Sequence, residues 1–282
     1  MNLEKIIPKD GPSIEEIEKY VKKYSNELIV IKCGGSVLLD ENLFNQLIEN
    51  IAIINKLGLS AIVVHGGGKN IKKKLDQNNI KSNFIDGLRV TDGNTIKIVE
   101  EALLELNTEI LNNINDKDAN AQSVTPKNGN IIKIIPERKE LGFVGAPREV
   151  NKEVLLSLVR EKKVPIIVPL GIGDDGKIYN VNADAVASAI AKEINSRRLL
   201  LMTDVEGVLD KDKKLISEIN SETANNMIND QSISGGMIPK IKTCIDAVNN
   251  GVTGVVIVDG RRQNSLLFEI FSDKGAGTLI RK

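Results

Sequence analysis

The chain has 282 residues, 38 basic against 38 acidic side chains, one histidine, two cysteines, no tryptophan and 3% aromatics. A net charge of zero gives no global attraction to nucleic-acid phosphates, and so few aromatics leave little to stack unpaired bases, so no nucleic acid is expected as a partner. No apolar run approaches the roughly 18 to 20 residues that cross a bilayer, and the opening MNLEKIIPKD lacks the apolar stretch of a secretory signal, so no membrane is expected either. At this length a chain buries roughly three quarters of the surface its unfolded form exposes and needs no disulfide or metal staple, whether as one domain or as two joined lobes. Cys33 and Cys244 form no C-x-x-C pair, which fits reduced thiols in a cytoplasmic protein. The single histidine, His65, argues against a histidine-based metal site, and no metal ligand set is expected.

The first predicted element is a helix in SIEEIEKYVKKY, opened by a capping box of Ser13 and Glu16 with Pro12 just before it. Ile14, Ile17, Val21 and Tyr24 recur at helical spacing and make one apolar stripe. That stripe packs either on its own domain or on a neighbouring subunit. From Glu27 onward β-rich runs alternate with helical patterns: LIVIK, ENLFNQLIENIAIINKLG, SAIVVHGGG, KNIKKKLDQNN, and later VPIIVPLGIG, ADAVASAIAKEINS, RRLLLMTDVEGVL, IPKIKTCIDAVNNG and TGVVIVDG. Runs dense in Ile, Val and Leu without polar alternation belong to a parallel sheet buried on both faces. The predicted fold is α/β, an open three-layer αβα sandwich with a central, mostly parallel sheet. A β-hairpin turning at Asn128-Gly129 is predicted in the more irregular AQSVTPKNGNIIKIIPERKELGFVG.

Two strands run into glycine clusters, Cys33-Gly34-Gly35-Ser36 and His65-Gly66-Gly67-Gly68. Loops beyond the carboxyl ends of parallel strands, free of Cβ atoms, let backbone N–H groups converge on an anion. Singly, each is ordinary turn chemistry; as a pair they suggest a phosphate cradle. Neither matches a P-loop or a Rossmann fingerprint. Lys32 ends its strand just before the first cluster, aimed at the sheet mouth or merely snorkelling to solvent. In SGGMIPKIKTCIDAV, Pro239 marks a first helical turn that also holds Lys240, a position the helix dipole disfavours for a cation unless an anion is bound there. Asn182 or Asp184 can cap the helix that follows NVNAD, and a carboxylate there can also hold two lysines in position. Arg89 in GLRVTD offers a fork for a carboxylate or phosphate, although a plain surface arginine is the commoner case. Cys33 beside Lys32 is read as a packing residue rather than a nucleophile, since no histidine base is at hand.

Taken in order, IVIKCGGSVL, VVHGGG, GLRVTD, GFVG, VPLGIGDDGKIYNVNADAVA, LLMTDVEGVL and GGMIPKI resemble the N-acetyl-L-glutamate kinases of the amino acid kinase family, from about Leu28 to the C-terminus. The resemblance implies phosphorylation of the side-chain carboxylate of N-acetyl-L-glutamate by Mg-ATP, a step of arginine biosynthesis that yields an acyl phosphate. A glutamate side chain with pKa near 4.3 is already ionised at neutral pH, so the reaction needs no general base. The resemblance further implies that Lys32 and Lys240 stabilise the transition state, that Asp184 orients both, and that Gly35 and Gly67 lend N–H groups to the phosphoryl. Gly67, Gly68, Arg89 and Asn180 match acetylglutamate-binding positions. Thr203, Asp204, Val205, Gly207, Leu209, Gly236, Met237 and Lys240 match those under the ATP, with Mg²⁺ arriving on the nucleotide.

By the same resemblance, residues 1–26 form a helical extension for oligomerisation and regulation, 27–194 an acetylglutamate-binding lobe, and 195–282 an ATP-binding lobe with a C-terminal regulatory segment. Members inhibited by L-arginine share the N-terminal helix, which links a trimer of dimers into a hexamer, and a C-terminal stretch like FEIFSDKGAGTLI. This implies arginine inhibition, with the effector near Tyr24, Glu269, Lys274 and Gly277, and leaves open a PII-type signal protein as partner. Two departures are a less glycine-rich Ser123–Asn130 stretch and a Tyr24-to-Lys32 spacing one residue longer than the pattern. The rivals are a sister kinase of aspartate, carbamate or UMP, against which GLRVTD and NVNAD argue, and a non-catalytic arginine or nucleotide sensor, expected to lack Lys32, Asp184 or Lys240.

Overall fold

Residues 3–282 are described by a computed structural model. The predicted runs become, in order, α1 (Ile14–Tyr24), β1 (Leu28–Cys33), α2 (Glu41–Lys56), β2 (Ser60–His65), α3 (Gly68–Gln77), β3 (Phe84–Ile85), β4 (Leu88–Arg89) and α4 (Thr95–Asn115). There follow β5 (Ala121–Val124), β6 (Ile132–Pro136), β7 (Val144–Val150), α5 (Lys152–Arg160), β8 (Val164–Ile167), β9 (Leu170–Ile172), β10 (Ile178–Val181) and α6 (Ala183–Glu193). The last part comprises β11 (Arg198–Thr203), β12 (Glu218–Asn220), α7 (Ser221–Asn229), α8 (Met237–Asn249), β13 (Val255–Asp259), α9 (Ser265–Phe271) and β14 (Gly277–Arg281).

Eight strands form one sheet in the order β12-β14-β13-β11-β1-β2-β8-β5. Only the β13–β14 pair in it is antiparallel. The absence of polar alternation in the strand sequences has a direct cause: successive residues face different helical layers, and both layers are core. Ile29, Ile31, Leu200, Met202, Val256 and Val258 join the core under α2, α4 and α9, whereas Val30, Leu199, Leu201, Val255 and Ile257 join the core under α5, α6 and α8. The three-layer sandwich expected from the sequence is therefore present. Beside it, β6, β7, β9 and β10 close on themselves as a small four-stranded barrel.

The hairpin expected at Asn128-Gly129 is absent. A two-residue turn of that kind needs positive φ at both residues, and neither has it. Asn128 Oδ1 instead accepts the Thr125 N–H at 2.7 Å, and a Cβ at Gly129 would come within 2.6 Å of Val124 Cγ1. The segment thus ends β5 in the main sheet and hands the chain to the barrel, where β6 pairs with β7 as the actual hairpin.

In α1 the capping box forms as expected, with Glu16 N–H donating to Ser13 Oγ at 3.2 Å. The buried residues are Ile17, Tyr20 and Tyr24, set against α9, while Ile14 is 37% exposed. Tyr20 replaces Ile14 in the stripe because its hydroxyl reaches Asp273 at 2.6 Å, where Lys19 also pairs at 2.7 Å. The buried side of the helix packs on α9 of the same chain. Among the described residues no helix is long and apolar enough to cross a membrane.

Strand β1 lies at the sheet's centre, with β2 on one side and β11 on the other. The chain leaves β1 towards β2 and later returns to the opposite side through β11, so the carboxyl ends of these strands open a crevice of the kind that binds ligands in α/β sheets.

Candidate active site

Parallel register sets Cys33 beside His65, so the two glycine loops leave the sheet side by side, and Gly66 N–H donates to the Cys33 carbonyl at 2.7 Å. Gly35 has φ of +70°, and a Cβ on it would stand 2.8 Å from Asp204 Oδ1. That carboxylate, just past β11, accepts from Ser36 N–H at 3.2 Å and Ser36 Oγ at 2.6 Å. At Gly67 a Cβ would meet Leu103 Cδ2 at 2.5 Å, so the second loop can lie on α4 only without a side chain there. Gly68 then opens α3, whose N-terminus has no side-chain cap. The uncapped N–H groups make a favourable place for an anion.

Asp184 sits between the two lysines. Lys240 Nζ is 2.8 Å from its Oδ2, and Lys32 Nζ is 3.0 Å from its Oδ1 in an ion pair off hydrogen-bonding direction. Capping of α6 falls to Asn182, whose Oδ1 accepts from Asp184 N–H at 2.9 Å and Ala185 N–H at 3.1 Å, leaving the Asp184 carboxylate free for the ammoniums. Burial pushes the Asp184 carboxyl up, but the charges of Lys32 and Lys240 outweigh it and bring the group down to about 2. Lys240, in the first turns of α8, is thus held by an anion of the protein itself. Two ammoniums on one carboxylate leave a net charge of +1 at the mouth of the crevice, ready for a phosphoryl group.

A cavity of about 200 Å³ runs from Lys32 and Asp184 past Gly66, Gly67 and Gly68 to Arg89 and Asn180, with Ile71, Leu103 and Val144 in its walls. Arg89 is a buried residue, contrary to the commoner surface case. Its Nη2 donates to the Gly68 carbonyl at 2.9 Å, its Nη1 donates to Ser82 Oγ, and its guanidinium lies 4.7 Å from the Phe84 ring centre. Asn180 Nδ2 donates to Thr91 Oγ1 at 3.4 Å. Phe84, 57% exposed, belongs to the β3–β4 hairpin that edges the cavity, an element absent from the runs expected from the sequence. The signal was Asp86-Gly87, a two-residue turn with φ of 49° and 80°.

The remaining predicted residues fall into two other places. Thr203 ends β11, Asp204, Val205, Gly207 and Leu209 follow in its loop, and Gly236 and Met237 open α8, which brings this group beside the lysines through Lys240. Gly207 has φ of +146°, and a Cβ there would lie 2.5 Å from Thr278 Oγ1. Tyr24, Glu269, Lys274 and Gly277 are brought together in a separate cavity of about 370 Å³, shared with Lys23 and Arg198. Cys33 is buried and burial lifts its thiol to about 12, so it is no nucleophile at neutral pH. Among the described residues no cluster of three or more His, Cys, Asp or Glu side chains could hold a metal.

His65 is buried, and burial lowers its imidazole from 6.5 to about 4. Above pH 6.5 folded and unfolded chains both hold it neutral. As the pH falls from 6.5 to 4 only the unfolded chain takes up the proton, so stability drops by about 1.4 kcal/mol per pH unit and levels off roughly 3 kcal/mol lower. Urea midpoints of the wild type and His65→Asn are therefore expected to converge across this window, since the variant lacks the titrating ring. Parallel pH profiles would refute the assignment.

A parallel sheet that presents two glycine loops, a carboxylate-held lysine pair and an arginine-lined cavity at one crevice is the arrangement of a phosphotransferase with an anionic acceptor. Residues 27–259 match the amino acid kinase family. The acetylglutamate kinase of Pelagibacter ubique (strain HTCC1062) is 56% identical over 277 residues, covering 98% of this chain and 96% of its own. That of Campylobacter fetus subsp. fetus (strain 82-40) is 42% identical over 264 residues, covering 93% and 94%. Among solved structures, N-acetylglutamate synthase from Neisseria gonorrhoeae complexed with coenzyme A and N-acetyl-glutamate has a TM-score of 0.85 at 20% identity, over 95% of this chain and 62% of that one. Carbamate kinase from Giardia lamblia bound to AMP-PNP has 0.69 at 17% identity, over 92% and 99%. These two likenesses are of the fold. The chain belongs to the amino acid kinase family, and within it to the acetylglutamate kinases.

Proposed function

We propose that the chain transfers the γ-phosphoryl of ATP to the side-chain carboxylate of N-acetyl-L-glutamate, in arginine biosynthesis. The observation that carries this reading is the Lys32–Asp184–Lys240 array, which joins the Arg89 cavity on one side to the β11 loop and the start of α8 on the other. With the substrate's α-carboxylate toward the Arg89 fork and its amide near Asn180, the acceptor is the side-chain carboxylate at the lysines. Its oxygen forms the new P–O bond while the bond to the β-phosphate oxygen breaks and ADP departs. No proton moves, because the nucleophile is ionised beforehand. Phosphoryl transfer is then positioning and charge neutralisation, supplied by the two ammoniums and the glycine-loop N–H groups. Magnesium carried by the ATP phosphates would supply further charge neutralisation, with the protein's own share coming from Lys32, Lys240 and the glycine loops.

The finer parts of the reading concern regulation and assembly. L-arginine is the proposed inhibitor, seated in the second cavity. Its guanidinium meets the Glu269 carboxyl, which burial raises against the N–H of Ala276, and its carboxylate meets Arg198 and Lys274. A hexamer built as a trimer of dimers through the N-terminal helix completes the proposal, with a PII-type signal protein as an optional partner. Cys33 and Cys244, both buried and unpaired, support a cytoplasmic setting. The test is ATP turnover with the acyl phosphate trapped as its hydroxamate, comparing N-acetyl-L-glutamate, glutamate, aspartate and carbamate, with and without L-arginine. Product from the acetylated acceptor alone, suppressed by arginine, is expected. Product from another acceptor would move the chain to a sister activity, and nucleotide binding without turnover would favour a sensor.

A further inference from the structure

His65 closes β2, is wholly buried, and has no part in the chemistry just described. Its hydrogen bonds fix which ring nitrogen carries the proton. Asn107 of α4 donates from Nδ2 both to His65 Nε2 at 3.1 Å and to the Ile166 carbonyl at 3.0 Å, while Ser123 Oγ of β5 donates to Asn107 Oδ1. The amide cannot turn round without losing the Ile166 bond and setting Oδ1 against that carbonyl, which can only accept. Nε2 therefore accepts, the proton is on Nδ1, and Nδ1–H donates to the Gly66 carbonyl at 2.8 Å.

In a trans peptide the C=O and N–H point in opposite directions, and no cis bond occurs among the described residues. A Gly66 carbonyl held toward the core sends the Gly67 N–H the other way, into the cavity that Gly67 lines with Lys32 and Asp184. Among the described residues no protein acceptor takes that N–H. A glycine pair left to itself samples both peptide orientations, and the flipped one would turn a carbonyl oxygen toward an incoming phosphoryl. Resting on the phosphotransferase reading, the geometry points to His65 as a positioning residue: through the Gly66 carbonyl it aims the Gly67 N–H at the anion in the cleft, with its tautomer set by the Gly66 carbonyl and, through Asn107, by that of Ile166.

Two substitutions separate this role from plain packing. Asparagine places its amide where Nδ1 stood and can still donate to Gly66; glutamine places its amide where Nε2 stood and cannot. His65→Asn is expected to keep most of the wild-type kcat, whereas His65→Gln loses about ten- to a hundredfold in kcat with little change in KM for N-acetyl-L-glutamate, a fraction of the effect of deleting an oxyanion donor. At neutral pH stability should order the opposite way, because asparagine leaves the larger void. The ring nitrogens of this single histidine are also unambiguous by 15N NMR, and a proton on Nδ1 is expected. A kcat that follows stability, a wild-type rate in His65→Gln, or a proton on Nε2 overturns the assignment. If the wild type forms no acyl phosphate, the underlying reading falls and this one with it; if it turns over and the variants misorder, only the role of His65 falls.

Discussion

Lys32→Ala and Lys240→Ala are each expected to lower kcat by about two to three orders of magnitude, the cost of removing one pre-aimed donor to developing charge. The fold should survive either change. The Lys32 and Lys240 side chains are 13% and 15% exposed, and loss of one leaves Asp184 still paired with the other. Because the two ammoniums share one carboxylate and one moving phosphoryl, the double variant should lose much less than the product of the single effects. Single-turnover formation of the acyl phosphate, beside circular dichroism and thermal unfolding, checks all three variants. Near-wild-type turnover in either single variant removes that lysine from the mechanism, and strict multiplicativity would show that the two act independently.

What the sequence disclosed follows the range of the interactions. The glycine loops were legible because each is a local sequence after an apolar run, and two parallel strands of six residues bring them abreast without further information. Lys240 was placed by Pro239, a local signal as well. A carboxylate able to hold two lysines is one reading of NVNAD, beside helix capping, but the resemblance to a family selects Asp184 for Lys32 and Lys240, since no spacing states that residues 56 apart meet. Ser36 with Asp204, 168 residues apart, was invisible for the same reason. So was the Asn107–His65 bond, since an asparagine on a helix otherwise reads as polar surface. The barrel was hidden because β7, with Pro147 and Arg148 in it, has no buried run to announce it. Two local signals mislead in opposite ways: Asn128-Gly129 has the composition of a tight turn that its φ values do not permit, whereas the less conspicuous Asp86-Gly87 forms one.

Asp184→Asn should separate orientation from binding at this site. In the wild type the carboxyl has its pKa brought from 3.8 to about 2, so its ionised form adds roughly 2 kcal/mol to stability above pH 3.8, lost as the pH falls through 2. The asparagine variant should be less stable by about that much at pH 7, and the gap should close between pH 3.8 and 2, where the wild-type carboxyl is protonated too. Catalytically the array changes from a net charge of +1 to +2. Extra positive charge does not weaken attraction for a nucleotide, but without the carboxylate the two ammoniums repel and leave the positions in which the shared carboxylate holds them. The expected result is a kcat lower by about a hundredfold or more with ATP binding undiminished, since the lost interaction is one of positioning. Isothermal titration with ADP alongside kcat measures both. Nucleotide affinity that falls in step with kcat would show that Asp184 holds the binding site together rather than aiming its lysines.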